Sequence, residues 1–339
     1  MRVRFTEIFE DVTKRGRKLQ TREYKDDGKY AIIDQGQNSI AGYTDDDDGV
    51  FTDIPAIVFG DHTRVIKYID TPCYLGADGV KLLKAKISNP NYKYLYYALL
   101  NADIPDTGYN RHYKWLKEVS INLPEEQKQK DIVKALDKVC GLLVQREQQL
   151  AKLDELVKAR FVELFGDPIR NTQNRPTTDF INVVKMQRGF DLPVQERRQD
   201  GDIPVYGSNG ALDRHNVAKV QGGGVITGRS GTIGKVYYTE GDYWPLNTSL
   251  FSVDTHGNNI IYLANLLQMY DLSRFTEGTG VPTLNRNKFH NEPIIDVPLT
   301  EQEVFASFVK QTDKSKLAIQ QSLEKLETLK KALMQQYFA

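Results

Sequence analysis

The sequence predicts an α+β protein: two similar strand-rich domains, each followed by a long helix, with the two helices packed against each other as a coiled coil. Three observations lead there. A polar loop and a helix start recur about 175 residues apart, as Asn110-Arg111 with Pro124-Glu125-Glu126-Gln127 and again as Asn285-Arg286 with Pro298-Leu299-Thr300-Glu301-Gln302. A repeat this long means whole domains, not a stack of small units. The segments after these starts carry apolar residues at alternating spacings of three and four, which is a coiled-coil seam. The rest of the chain is cut into short apolar runs bounded by Gly, Asp and Pro, which is strand chemistry. The expected limits are 1–122 and 168–297 for the strand-rich domains, and 123–167 and 298–339 for the helical arms.

A chain of 339 residues has room for two cores. In the first domain, Ala31-Ile32-Ile33 and Ala56-Ile57-Val58-Phe59 read as strands, Asp45-Asp46-Asp47-Asp48 as a solvated loop, and 92–100 as a helix. The first arm opens on Pro124 with Glu125 and Glu126 in its first turn and stops at Gly166, matched start and stop signals. Its seam is Ile132, Leu136, Val139, Leu143, Leu150, Leu153, Val157 and Leu164, with Arg146 and Arg160 in the slots that break the apolar series. About 40 residues at 1.5 Å rise make a helix of roughly 60 Å. Such a seam left in water needs a partner.

In the second domain, Val225-Ile226-Thr227, Lys235-Val236-Tyr237-Tyr238 and Ser249-Leu250-Phe251-Ser252-Val253 read as strands, and Tyr262–Leu267 as a helix. The second arm offers a looser seam of Phe305, Phe308, Thr312, Ile319, Leu323, Leu326, Leu333 and Tyr337. Its end matches the first: Leu150, Leu153 and Leu156 correspond to Leu323, Leu326 and Leu329, and Phe165 to Phe338. Two unrelated surface helices, each packed on its own domain, are the alternative; the matched lengths and ends favour two arms zipped together.

Charge and cysteine narrow the function classes. Lys+Arg and Asp+Glu are both 45, and each of the four segments is close to neutral by itself. A non-specific nucleic-acid coat needs a strong positive field, so that class is disfavoured, while a reader with a local, one-sided basic face remains. The two cysteines, Cys73 and Cys140, form no CxxC pair, which points away from a disulfide framework or zinc site and toward a reducing cytosol. No signal-like apolar start and no run of 18 apolar residues occurs, so a cytoplasmic protein without a membrane span is expected.

Several catalytic signatures are approached and missed. Gly228-Arg229-Ser230-Gly231-Thr232-Ile233-Gly234-Lys235 resembles a phosphate-binding P-loop, but five residues rather than four separate its outer glycines, and Val236 follows the lysine where a Ser or Thr would hold magnesium. A tight turn between strands is the plainer reading. Asn89-Pro90-Asn91-Tyr92 resembles the Asn-Pro-Pro-Tyr motif of adenine N6-methyltransferases, yet its third residue departs and no Gly-rich cofactor loop precedes it. The five histidines form no close metal-binding pair, and there is no nucleophile elbow.

What recurs instead is a set of polar loops rich in Gly, Arg, Asn, Ser and Thr. In the second domain these are Gly228–Lys235 and Gly278–Lys288, with Ser208 and Asn209 in a further Gly-flanked turn; in the first they are Gly60–Arg64 and Gly108–Lys114. Glycine lets a backbone approach a phosphate, and Arg, Asn and Gln can read base edges through paired hydrogen bonds. Any single loop could be ordinary turn chemistry; four at matching places suggest a repeated binding surface.

At these residues the chain resembles the specificity subunits of Type I restriction–modification enzymes, over nearly its whole length. The marks are 228–235, Trp244-Pro245-Leu246-Asn247-Thr248, Gly278–Arg286 and the Pro with Glu-Gln that opens each arm; in the first domain, 33–37, 58–64, Gly76–Val80 and Gly108–His112 look like another variant of the same domain. The resemblance implies two target-recognition domains that read short half-sites of double-stranded DNA, separated by a gap that the arms, packed as an antiparallel coiled coil, set. It implies two methyltransferase subunits as partners, which flip and methylate adenine with S-adenosylmethionine, and restriction subunits that use ATP and Mg2+. No cofactor or metal is expected on this chain, and no catalytic residue. The DNA-facing residues expected are His62, Thr63, Arg64, Tyr109, Arg111 and His112 in the first domain, and Ser208, Asn209, Arg229, Ser230, Thr232, Lys235, Thr279, Asn285 and Arg286 in the second. The loops differ at nearly every position, so different half-sites and an asymmetric target are expected. The alternatives are a single-chain restriction or methylation enzyme fragment with catalysis in cis, and a coiled-coil interaction scaffold.

Overall fold

The computed structural model describes residues 1–278 and 282–338. They fall into two compact units, Met1–Gln145 with Ser322–Ala339, and Arg146–Gln321. Each unit takes one strand-rich domain and one part of each long helix.

In the first unit an antiparallel sheet runs in the order Phe9–Asp11, Val80–Ala85, Ala56–Gly60, Ile66–Ile69. Its central strand Ala56–Gly60 is buried at every residue, as an unbroken apolar run requires. A second sheet, in the order Lys18–Leu19, Cys73–Gly76, Tyr30–Ile33, Gly42–Thr44, is parallel at its first two pairings. The helix Tyr92–Leu100 lies on the strand Ile66–Ile69. It starts where the methyltransferase-like tetrapeptide ends, because Asn91 is its N-cap and accepts a hydrogen bond from the Tyr94 N–H at 3.0 Å. A ribbon of Arg2–Arg4 with Ser120–Asn122 ties the chain start to the approach to the first long helix, Glu126–Phe165. The acidic run meets cations rather than water alone, with Lys25 on Asp45 at 2.9 Å, Lys29 on Asp47 at 2.5 Å and Arg17 on Asp46 at 2.8 Å.

The second unit repeats this plan. Its antiparallel sheet runs Lys185–Arg188, Ser249–Asp254, Gly224–Gly228, Val236–Thr239, the same order of first, last, second and third strand. The helix Ile260–Tyr270 lies on Val236–Thr239, and a ribbon of Thr177–Asp179 with Pro293–Ile295 leads to the second long helix, Leu299–Phe338. The P-loop-like segment is the connection between two antiparallel strands, Gly224–Gly228 and Val236–Thr239. A three-stranded sheet of Gly210–His215, Ile203–Gly207 and Trp244–Pro245 completes the unit.

The long helices pack as an antiparallel pair. In the second unit Phe305 meets Phe161 and Phe165 with ring centroids 5.5 and 5.6 Å apart, while Lys316 bonds Asp154 at 2.6 Å, so position falls along one helix as it rises along the other. In the first unit Ile132 and Leu136 share a core with Leu333, Met334, Tyr337 and Phe338. The expected seam residues between these ends, Leu143, Leu150, Leu153, Ile319, Leu323 and Leu326, are only half-buried. The firm burial sits where the helices enter the domain cores. There Phe161, absent from the expected seam, is fully buried against Phe165, Tyr262 and Phe305.

The structure also resets the register of the repeat. The long helices begin at 126 and 299, and the short helices Tyr113–Leu116 and Arg286–Phe289 before them begin at 113 and 286, a shift of 173 in both places. Arg111 is therefore not the counterpart of Arg286. His112 matches Asn285, since each occupies the N-cap of its short helix. Likewise Gln129, not Gln127, matches Gln302: each amide donates at 2.8 Å to the carbonyl five residues before it, of Pro124 and of Val297.

Candidate nucleic-acid interface

Gly60 and Gly228 end equivalent central strands, and each is needed there for the same steric reason. A Cβ at Gly60 would strike Thr63 Oγ1 and Gln35, and one at Gly228 would strike the Thr232 carbonyl. In both units the chain folds back across the strand end and throws a polar loop outward.

In the first unit, Gln35 organises that loop. Its side-chain oxygen accepts from the His62 N–H at 3.1 Å, and its carbonyl accepts from the Thr63 hydroxyl at 2.6 Å. Arg64 sits at φ 62° and turns its guanidinium inward, to the Ile104 carbonyl at 3.1 Å and Asp106 at 2.6 Å. The Gly108 N–H first, then the Arg64 charge, hold the Asp106 carboxyl below its usual range. Arg64 thus braces the segment that carries Tyr109. Tyr109 is 88% exposed and stacks on His62, with centroids 4.8 Å apart and planes at 11°. Thr63 and Arg111 are exposed beside it.

His112 departs from the expectation of a DNA-facing ring. It is 0% exposed, with Nδ1 3.0 Å from the Asp61 carbonyl and Nε2 3.3 Å from the Thr107 hydroxyl. An N-cap position tucked under the loop gives it no route to the surface, so its ring supports the loop from below. Asp61, which sequence reasoning passed over, is also buried, and its carboxylate accepts from the Tyr113 N–H at 2.7 Å. That bond ties the Gly60 loop to the short helix.

In the second unit, Arg229, Asn285 and Arg286 line one cleft of about 340 Å³ together with Arg188, Glu277 and Leu250. The loop is fixed to the sheet through the backbone. The N–H groups of Arg229 and Ser230 donate to the Thr248 carbonyl at 2.9 and 3.2 Å, and the Leu284 N–H donates to the Arg229 carbonyl at 2.7 Å. Ser230 forms a β-bridge with Thr283. Asn285 caps its short helix by accepting from the Asn287 N–H at 3.1 Å and donates through Nδ2 to Glu277 at 3.1 Å. Asn285 and then Lys288 keep the Glu277 carboxyl below its usual range, so it stays ionised.

Ser208, Asn209 and Lys235 come together apart from that cleft; Lys235 Nζ lies 3.5 Å from Asn209 Oδ1, and Ser208 Oγ lies beside Gly231. Thr232 is half-buried, and its backbone carbonyl faces Gly228. Thr279 lies outside the described residues. Arg188, on a strand rather than in a Gly-rich loop, gave no loop signal; only its register opposite Leu250 brings it to the cleft.

The chain matches the family model of the Type I restriction modification DNA specificity domain over residues 1–153 and again over 170–330. Among solved structures it is similar to the Type-I restriction-modification system S subunit from M. genitalium, with 17% identity and a TM-score of 0.66, covering 100% of this chain and 96% of that one. It is also similar, at 14% identity and a TM-score of 0.59, to a chain from a structure concerned with complex assembly and conformational transition of the type I R-M system, covering 100% and 97%. At these identities the structural likeness speaks to fold alone. No curated protein matches the chain at a significant level. No helix among the described residues is long and apolar enough to cross a membrane.

Proposed function

Because the chain belongs to the Type I restriction modification DNA specificity domain family, we propose that it is the non-catalytic recognition subunit of a Type I restriction–modification complex, reading a bipartite, asymmetric DNA target and directing adenine N6 methylation and restriction by partner subunits. One observation carries the reading: the same scaffold is built twice, with the same strand order and the same loop after the same glycine, yet the side chains on the loops are unlike. A scaffold that repeats while its surface chemistry differs suits two readers of two different half-sites.

On this reading the DNA-facing groups of the first unit are Thr63, Tyr109 and Arg111, with His62 as the plate under Tyr109 and Arg64 and His112 as braces. In the second unit they are Arg229, Asn285 and Arg286 in the cleft, with Ser208, Asn209, Ser230, Thr232 and Lys235 on the adjoining loops. The long helices set the gap between half-sites and offer docking faces to two methyltransferase subunits. S-adenosylmethionine, ATP and Mg2+ bind to partners, and the complex works in the cytoplasm. The neutral chain fits this division of labour, because partner subunits supply much of the phosphate contact.

The experiment is a genome-wide map of methylated adenines in cells that carry the chain with its methyltransferase, against cells that lack the chain. Methylation at one motif of two unlike halves, lost with the chain, is expected. A continuous or palindromic motif, or methylation by the purified chain unaided, refutes the proposal.

A further inference from the structure

Three guanidiniums converge on one cleft in the second unit, and none does at the matching place in the first. Arg188 stands opposite Leu250 in the sheet, Arg229 follows Gly228, and Arg286 opens the short helix. None of the three side chains has a hydrogen bond or ion pair among the described residues. Like charges gathered on an apolar floor of Leu250 and Leu284 repel one another until an anion joins them. Glu277 offsets one charge, but Lys288 at 3.1 Å already shares it.

The register shared by the two sheets identifies the first unit's counterparts. The residue after Gly60 is Asp61, the first residue of the short helix is Tyr113, and the place of Arg188 falls to Thr13. Lys81 replaces Leu250 and is bonded to Asp11 at 3.0 Å. Asp61 is used up on the Tyr113 N–H. The first unit has thus closed this position with internal bonds, while the second leaves three cations open.

Resting on the DNA-reading proposal, we infer that the second unit alone carries a phosphodiester clamp, made by Arg188, Arg229 and Arg286, which anchors a DNA strand beside its half-site. A phosphodiester offers two free oxygens to forked guanidinium donors, and a cleft of about 340 Å³ admits it with parts of its sugars.

The test measures binding of the full-length chain, in the complex with which it purifies, to a target duplex and a scrambled duplex across a salt series. Arg188→Ala and Arg286→Ala are each expected to weaken both duplexes about tenfold and by the same factor. The combined Arg188→Ala, Arg229→Ala and Arg286→Ala variant lowers the slope of log affinity against log salt by about 0.9, the value for one lost phosphate contact, and each single variant lowers it by less. Arg188→Lys retains the slope. Arg188→Gln, at an exposed position, repeats the test if alanine disturbs folding. An unchanged slope overturns the clamp, and so does a loss confined to the target duplex, which would mark a base reader. A wild type that does not prefer its target refutes the recognition proposal instead, while the slope change would still report a clamp.

Discussion

Replacing Gln302 by alanine should destabilise the second unit by about 3 kcal/mol, while the same change at Gln129 should cost the first unit less than about 1 kcal/mol. The two glutamines are counterparts in the repeat, so each serves as the other's control. Gln302 is 1% exposed and makes three hydrogen bonds: Nε2 donates to the Val297 carbonyl at 2.8 Å and to Asn258 Oδ1 at 2.7 Å, and Oε1 accepts from the Asn259 N–H at 2.8 Å. Each bond contributes roughly 0.5–1.5 kcal/mol net, and alanine leaves partners that water reaches poorly. Asn259 caps the helix Ile260–Tyr270, so the loss spreads from the arm to the domain that it enters. Gln129 is half-buried and makes the single bond to the Pro124 carbonyl at 2.8 Å. The assay is urea unfolding followed by tryptophan fluorescence. Trp115 lies in the first unit and Trp244 in the second, so Trp115→Phe and Trp244→Phe backgrounds report each unit separately. If Gln302→Ala stays within 1 kcal/mol of its background, or if the two variants lose equally, the buried amide does not lock the arm to the domain.

Phe161→Ala, at a fully buried ring touching Phe165, Tyr262 and Phe305, should cost the second unit about 3–5 kcal/mol by the same unfolding assay; a loss under 1.5 would deny that the arm's anchor lies there. Burial first, then the charges of Arg286 and Lys185, hold His290 below its usual pKa, and its Nε2 accepts from the Met186 N–H at 3.2 Å. The folded state therefore resists a proton that the unfolded chain takes up near pH 6.5, so stability of the second unit is full above that pH and falls as pH drops through it. Unfolding at pH 7.5 and 5.5 should show that drop in the Trp115→Phe background, and His290→Asn should flatten it; a pH slope that survives the substitution assigns the effect elsewhere. Tyr109→Ala, at a ring 88% exposed, should leave stability within about 0.5 kcal/mol yet weaken target binding about tenfold, since truncating an aromatic anchor at an interface commonly costs more than about 1 kcal/mol; unchanged binding would remove Tyr109 from the interface.

The site was partly legible because glycine declares loops. Gly60 and Gly228 marked the two turns correctly, since a position that excludes a Cβ leaves a sequence signal. The roles within the loops were less legible. Arg64 and Arg229 look alike in sequence, yet Arg64 is bonded to Asp106, while Arg229 lines an open cleft. Which arginine is internal depends on a carboxylate 42 residues away, and no local pattern encodes that distance. Arg188 was passed over for the opposite reason, because strand chemistry hid a side chain whose neighbours come only from sheet register.

The sequence by itself determined the two strand-rich domains and the two long helices, because hydrophobic periodicity and capping residues act over a few turns and need no distant partner, whereas the antiparallel sense of the helix pair is read from contacts between distant residues such as Phe161 with Phe305 and Asp154 with Lys316. Only the tertiary structure decided the register of the repeat, which moved from about 175 to 173 and exchanged Asn110 for His112 as the match of Asn285. Only it decided that the arms are anchored at their buried ends, through Phe161 and Gln302, rather than along a uniform seam. Burial and charge pairing are properties of what surrounds a residue, and in this chain those surroundings come from strands and helices far apart in sequence.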